Sequence, residues 1–297
     1  MSQLVKKFRT EAGDLQIDYN ALANLPTISN PNLLINGDFR NPVNQRGGIS
    51  YAPSGNVLVY TIDRWGIFPS LNDGSGHSLT VNSGYITFAN SNESMSAYLI
   101  QHLEKPLSGT YTISIKVKSA SKTFDVSYRD NGTVSRAMTL SAGVSSATIE
   151  CASLDFIRIG LSSVGSIDIE WIKLEAGSVA TLFSPPLFAD EVNLCKRYYQ
   201  AVSSYRFPII ATSSNSAYGV IPIGVSLRTK PSVKIVGMTY FDTAQGVDVG
   251  VGSSAPDNTY TTPRSVSIQV TKNSTSTFTA GASIISTIHA TFDAEIY

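Results

Sequence analysis

The chain has 297 residues, and its 22 Lys+Arg balance its 22 Asp+Glu, so the formal net charge is zero. That excludes a basic field for nucleic acid or an anionic membrane. Charged residues make up 15%, below the ~25% of average usage, and Ser, Thr, Asn and Gly fill the gap.

The length suffices for two ordinary domains, each with its own core. Cys151 and Cys195 provide no disulfide framework and no Cys-x-x-Cys pair, which fits assembly in a reducing compartment. The N-terminus MSQLVKKFRTEAGD lacks an apolar core of signal-peptide length, and no run of ~18 apolar residues occurs. The expectation is a chain neither inserted in a membrane nor exported by a cleaved leader.

Residues 1–30 carry little to bury. Leu4, Val5 and Phe8 fall at helical spacing, and after Gly13-Asp14 the apolar Leu15, Ile17 and Tyr19 alternate as in a short strand. Pro26 and Pro31 punctuate the stretch after Tyr19. A piece this small orders against a partner or against copies of itself.

Residues 31–185 read as a β-sandwich. Leu33 and Ile35 open it, and Asn36-Gly37 is a turn signal. In Tyr111–Lys118 every odd position is apolar and every even one polar. Phe124, Val126 and Tyr128 repeat the pattern, as do Ile157, Ile159 and Leu161, then Ile167, Ile169 and Trp171. Period two with one wet face is the mark of antiparallel sheet. After Trp171 the apolar set shifts by one, to Ile172 and Leu174, which predicts a bulge or a change of face.

Residues 186–202 read as a helical linker. Asp190 and Glu191 lie in its first turns and Lys196 and Arg197 near its end, both favourable against the macrodipole. Phe188, Val192, Cys195, Tyr199 and Val202 make a short heptad seam. Two heptads either pack on a domain or sit around a threefold axis.

Residues 203–297 read as a second β-sandwich. Its strands are centred on 220–223, 233–236, 266–270 and 288–296, with a long loop over Gly246, Gly250, Gly252 and residues 253–258. No internal repeat of 20 to 50 residues appears, which disfavours a β-helix. The fold class is therefore all-β: two jelly-roll-like sandwiches joined by a short helix, with a small segment in front.

The stretch 169–200 makes the chain less anonymous. W-x-K-L-E-x-G-x-x-A-T from Trp171, a Pro-containing break, and F-A-x-E-x-x-L-C-x-R-Y-Y from Phe188 resemble a junction in tail-fibre and receptor-binding proteins of tailed bacteriophages. G-D-x-x-I-D-Y-N-x-L-x-N-x-P-T from Gly13 resembles their N-terminal leader, and LRTKPSV with the terminal F-D-A-E-I-Y resembles their closing domain. N-L-L-x-N-G-D-F and G-T-Y-T-I-S-I-K-V-K resemble carbohydrate-binding modules of the galactose-binding-like jelly-roll type. NQRGGISY and YTIDRWGIF look like the phage-fibre variant of that module.

The resemblance implies a homotrimeric phage tail-fibre or baseplate protein, located on the virion and assembled in the host cytoplasm. Its N-terminal segment would contact other tail or baseplate proteins, and the protein would recognise a host surface polysaccharide. Modules of this type often carry a structural calcium, but Asp38, Asp63 and Glu175 form no loop motif for one. No metal and no cofactor is assigned, and no nucleic-acid partner or membrane insertion is expected.

No catalytic motif emerges. Asp168 and Glu170 share a strand face ~7 Å apart by strand rise, a separation that suits glycosidase carboxylates, yet two acids on a wet face are usually only solvated. His77, His102 and His289 lack companions at ligand spacing. No G-x-S-x-G, phosphate loop or H-E-x-x-H occurs. The chain is read as a non-enzyme.

Sugar binding needs flat aromatic faces with amides, carboxylates or Arg for the hydroxyls. In the first domain the candidates are Tyr51, Tyr60, Trp65, Tyr85 and Tyr98, with Arg46, Asp63 and His77 as polar partners. In the second they are Tyr218, Tyr240, Phe241, Asp242, Tyr260 and Arg264, in or beside loops. The oligomer seam is assigned to Phe188, Val192, Cys195 and Tyr199. Three alternatives to receptor binding remain: a structural adaptor without glycan binding, a glycan-cleaving enzyme, and a secreted lectin.

Overall fold

A computed structural model describes residues 8–10, 13–15, 29–55, 57–69, 76–93, 96–161, 163–242, 247–248, 251–257, 259–272 and 278–296. Two short strands, β1 (Phe8–Thr10) and β2 (Gly13–Leu15), pair antiparallel in the N-terminal segment. The rest of that segment, with the expected alternation through Tyr19, lies outside the described residues.

The first β-unit holds ten strands. They are β3 (Ser50–Tyr51), β4 (Val59–Tyr60), β5 (Gly66–Pro69), β6 (His77–Asn82), β7 (Tyr85–Asn90), β8 (Ala97–Ala120), β9 (Phe124–Asp130), β10 (Thr133–Leu140), β11 (Gly143–Leu161) and β12 (Gly165–Ala176). β8 and β11, 24 and 19 residues long, run through both layers of a sandwich. Their far halves, Gly143–Cys151 against Gly109–Val117, sit beside β12, β7, β6 and β3. Their near halves, Phe156–Leu161 against Ala97–His102, sit between β5 and the β9–β10 pair. Register shifts between Cys151 and Phe156 mark the corner where β11 changes layer. The two inner faces share one core, from Trp65, Ile67, Leu99, Val126 and Ile159 across to Ile113, Ile115, Ile169, Phe88 and Ile86.

The expected irregularity beyond Trp171 is present one step earlier, as register shifts between Asp168 and Trp171. Leu33 and Ile35, by contrast, form no strand. Asn36 adopts a left-handed backbone, φ 60°, and becomes a hub rather than a hairpin turn. Its side chain donates to the Val43 and Asp63 carbonyls and accepts from Val43 N–H, its carbonyl takes the Trp65 indole N–H, and its own N–H reaches Glu191. Gly37 is needed because a Cβ there would lie 2.5 Å from the Ile172 carbonyl oxygen.

The junction motif is a structural lock. Lys173 and Glu175, both buried, pair at 3.1 Å. Glu175 accepts from the Thr181 amide and hydroxyl, and Lys173 Nζ donates to the Thr181 hydroxyl and the Leu182 carbonyl. Phe183 stacks on Trp171 with centroids 4.7 Å apart. Against the cost of burial, the Thr181 donors and Lys173 hold the Glu175 carboxyl below its usual range.

Helix α1 spans Phe188–Lys196, shorter than the 186–202 read from the heptad spacing. Arg197 N–H to Leu194 O and Tyr198 N–H to Cys195 O close its last turn. Tyr199 then pairs with Asp293 and starts a strand, so tertiary pairing overrides the periodicity. The second β-unit is one antiparallel sheet: β13 (Tyr199–Ala211), β14 (Ser216–Pro222), β15 (Ser232–Asp242), β16 (Val247–Asp248), β17 (Val251–Pro256), β18 (Ser265–Lys272) and β19 (Ser283–Asp293), ordered β16-β15-β19-β13-β14-β18-β17. The sheet curls until β15 approaches β17, around Phe207, Ile209, Ile221, Ile268, Ile284, Ile288 and Phe292. Much of the loop expected over 246–258 is strand β17, paired with β18.

The two units meet on buried charge. Arg64 sits at the tip of the tight turn between β4 and β5 with φ 68°, a conformation that costs a non-glycine residue ~1 kcal/mol or more. Its guanidinium, 1% exposed, bonds Glu295 at 2.5 Å and the His102 carbonyl at 2.5 Å and lies 3.6 Å over the Tyr198 ring. Arg228 holds the Ala294 and Glu295 carbonyls, and Ala294 N–H bonds Tyr198 O. Arg64→Met leaves the buried Glu295 without its short ion pair, with only Arg46 at 3.6 Å, and equilibrium urea unfolding is expected to show a loss of about 3 kcal/mol. Adding Glu295→Leu, which removes the second charge, is expected to recover most of that loss.

Candidate functional site

The candidate residues of the first domain cluster in space, but inside the protein. Trp65 is fully buried, its indole N–H bonded to Asn36 O at 2.9 Å and its ring edge-on to Phe39. Tyr60 is buried and donates its hydroxyl to the Ile296 carbonyl. Asp63 has no exposed surface and accepts from Gln45 and Arg46. Arg46 lies 3.8 Å over the Tyr199 ring and 3.6 Å from Glu295. A ring without a free face cannot stack on a sugar, so Trp65 is corrected to the core of the first unit and Tyr60, Asp63 and Arg46 to the seam between the units.

His77 and Tyr240 are buried in their own units, and burial pushes the His77 imidazole below its usual pKa. Tyr51 is half-buried, its hydroxyl bonded to Asn44. Asp242 closes β15 and its side chain lies outside the described residues. Tyr260, 71% exposed, and Arg264 stand at the surface of the turn between β17 and β18. The oligomer seam dissolves as well. Cys195 and Tyr199 pack inside the chain, Val192 is half-buried, and Phe188 is half-exposed at the helix start.

Asp168 and Glu170 are both engaged. Asp168 accepts from Thr87 and Ser119 at 2.6 Å each, and Glu170 pairs with Lys116 at 2.8 Å. Among the described residues no group of three His, Cys, Asp or Glu side chains is placed to hold a metal ion. No described helix is long and apolar enough to cross a membrane.

The surface with free chemistry is the outer face of the sandwich layer β5–β8–β11–β9–β10. Cross-strand partners share a face, so the register defines two rows. One runs Phe68, Tyr98, Gly160, Asp125, Thr139, and the next runs Gly66, Ile100, Arg158, Ser127, Arg136. Between Tyr98 and Asp125 the position is glycine because the Tyr98 ring packs over it, and a Cβ there would lie 3.0 Å from that ring. The Arg158 guanidinium lies 3.8 Å over that ring. Asp125 accepts from the Thr139 hydroxyl at 2.9 Å and sits 3.7 Å from Arg136.

These side chains, with Ser96 and Thr123, line a groove of about 310 Å³. A larger cleft of about 440 Å³ opens beside Arg64, Glu104 and Arg197. Its charges already satisfy one another: Arg197 and Tyr198 both bond Glu104 at 2.7 Å, and Arg64 holds Glu295. The groove is therefore the better place for a polar ligand. Tyr98 is among the sequence candidates. Asp125, Arg136, Arg158 and Gly160 are not, because each is one polar or small position in an alternating strand and only the pairing register unites them.

No known family description matches this chain, and no curated protein does. Among solved structures it is similar to family 29 carbohydrate-binding modules. A point variant of CBM29-2 aligns at 11% identity over 47% of this chain and 100% of its own, with a TM-score of 0.30. A second variant, complexed with mannohexaose, aligns at 10% over 42% and 89% with a TM-score of 0.29. Another family 29 module aligns at 9% over 42% and 88% with a TM-score of 0.28.

The buried seam makes a pH prediction. Burial, only partly offset by the Gln45 donors and Arg46, pushes the Asp63 carboxyl up to about 6, against ~3.9 in an unfolded chain. A raised folded pKa gives stability that is fully present below the unfolded value and is lost as pH rises through the folded one. Wild type is expected to lose up to ~3 kcal/mol, relative to Asp63→Asn, between pH 4 and pH 7. Urea unfolding of both proteins across that range reads the difference directly.

Proposed function

We propose that this chain is a non-catalytic glycan-recognition protein of a tailed bacteriophage, a tail-fibre or baseplate receptor-binding protein that contacts a host surface polysaccharide. The sequence resemblance at 13–27, 44–51, 60–68, 169–200 and 227–233 supports the phage reading. The observation that carries glycan binding is the Tyr98–Arg158 stack beside Asp125, on the open groove of one sheet face. An aromatic wall, guanidinium donors, a carboxylate and hydroxyls on one rigid sheet face are what a saccharide's mixed C–H and O–H surface requires.

The resemblance also supports a homotrimer with an attachment role for residues 1–30. Exposed Ile210, Tyr218 and Val220, which share the outer face of β13 and β14, are apolar surface that an assembly would cover. Light scattering of the purified full chain is expected to give three times 31.8 kDa.

The rival reading is a structural adaptor, favoured by the burial of Trp65, Tyr60 and Tyr240. Full-length fluorescent protein on whole host cells separates the two. Isolated halves would expose the Arg64–Glu295 seam, so point variants are the better probe. Tyr98→Ala is expected to weaken cell binding by about tenfold, ~1.4 kcal/mol, with the β fold kept by circular dichroism at the assay temperature, and extracted envelope polysaccharide is expected to compete. Binding that ignores both the substitution and the polysaccharide would place the adaptor first.

A further inference from the structure

The charges that face the groove do not cancel. Asp125 lies against Arg136 and accepts from Thr139. Further along the same layer, Arg129 is held by Asp155 at 2.7 Å. Arg158 has no carboxylate within ion-pair range among the described residues, and its Nε–H is buried without an acceptor. The contrast shows in the titration behaviour of the arginines. Asp38 raises Arg40 and Asp155 raises Arg129, whereas burial lowers Arg158 and only the Tyr98 hydroxyl opposes it.

Stacking occupies the π face of a guanidinium and leaves its N–H edge in the plane. With Tyr98 against that face at 3.8 Å, the free edge of Arg158 borders a groove lined with Ser and Thr hydroxyls.

We propose that this groove takes an acidic glycan, with a carboxylate or phosphate oxyanion of the saccharide seated on Arg158 as a charge-assisted, two-pronged hydrogen bond. The proposal rests on the glycan-binding reading of the same groove and adds the ligand class. Arg158 supplies the charge selection, while Tyr98, Asp125 and the hydroxyls contact the rest of the sugar. A neutral sugar offers the guanidinium only hydroxyl acceptors, which bind it more weakly than an oxyanion does, and that difference sets the preference.

The test uses the full chain with three immobilised polymers: polygalacturonate, its carboxyl-reduced neutral counterpart, and poly(glycerol phosphate). At least one acidic polymer is expected to bind about tenfold or more above the reduced one, with binding that falls as salt rises. The acidic polymer that binds identifies the oxyanion as carboxylate or phosphate. Arg158→Gln is expected to abolish the preference, and Arg158→Lys to keep only part of it. Equal binding to the reduced polymer, or a preference that survives Arg158→Gln, overturns the proposal and leaves glycan binding standing. So does binding to none of the three by a protein whose Tyr98-dependent cell adhesion is intact. Loss of cell adhesion from wild type as well would overturn both readings together.

Discussion

The Arg64 guanidinium sets the terms for everything around it. A buried cation costs several kcal/mol of desolvation unless every donor direction is used well. Arg64 uses most of them, with Glu295 from the end of the second unit, the His102 carbonyl from β8 and the Tyr198 ring from the segment after the helix, while its Nε–H stays buried without an acceptor. Each partner comes from a different part of the chain, so these contacts form together when the two units sit as they do here. Its own backbone is held at φ 68° in a turn where glycine would be the easier fit, so the side chain is retained against a local conformational cost. Arg46, stacked on Tyr199 and facing Asp63 and Glu295, extends the same seam. A seam of this kind specifies geometry more than it adds stability.

That constraint reaches the groove through shared strands. β8 carries Tyr98 to the groove and His102 to the seam, four residues apart on one face, and β11 carries Gly160 and Arg158 beside them. Movement of the second unit against the first would pull on the His102 carbonyl and hence on the strand that presents Tyr98. The groove-facing side chains therefore sit on elements whose register is fixed from both ends. Such placement holds orientation better than a free loop tip does. Tyr260 and Arg264, the exposed pair in the second unit, lack this support.

Much of the fold is legible in the sequence because it rests on period two. The alternation in 111–118, 124–128 and 157–161 corresponds to β8, β9 and β11 with the expected inward sets, and the shift near Trp171 is a real change of register. The motif at 171–181 is visible as a pattern, but its physics needs the fold: Lys173 and Glu175 are one buried pair closing on Thr181. Heptad spacing overstates the helix because it continues through Tyr199, whereas pairing with Asp293 decides that residue's state. The site is the least legible part. Aromatic and charged residues adjacent in sequence, such as Tyr60, Asp63, Arg64 and Trp65, look alike whether they face a ligand or another domain. Asp125, Arg136 and Arg158 meet only after three strands pair.

The size of the groove bears on how adhesion would work. At about 310 Å³ it lies at the small end of ligand sites, which run ~300–1,000 Å³, and it is open along a sheet face. A ligand there makes few contacts and must still give up its own freedom, so one groove binds weakly. Adhesion to a surface arises only when several copies engage a repeating polymer at once, which raises avidity by ~10²–10⁴ without a new contact. That arithmetic works only if the grooves are held in fixed relation to one another. A rigid seam inside each chain and repetition of the chain are then two parts of one requirement, and the buried Arg64–Glu295 pair meets the first.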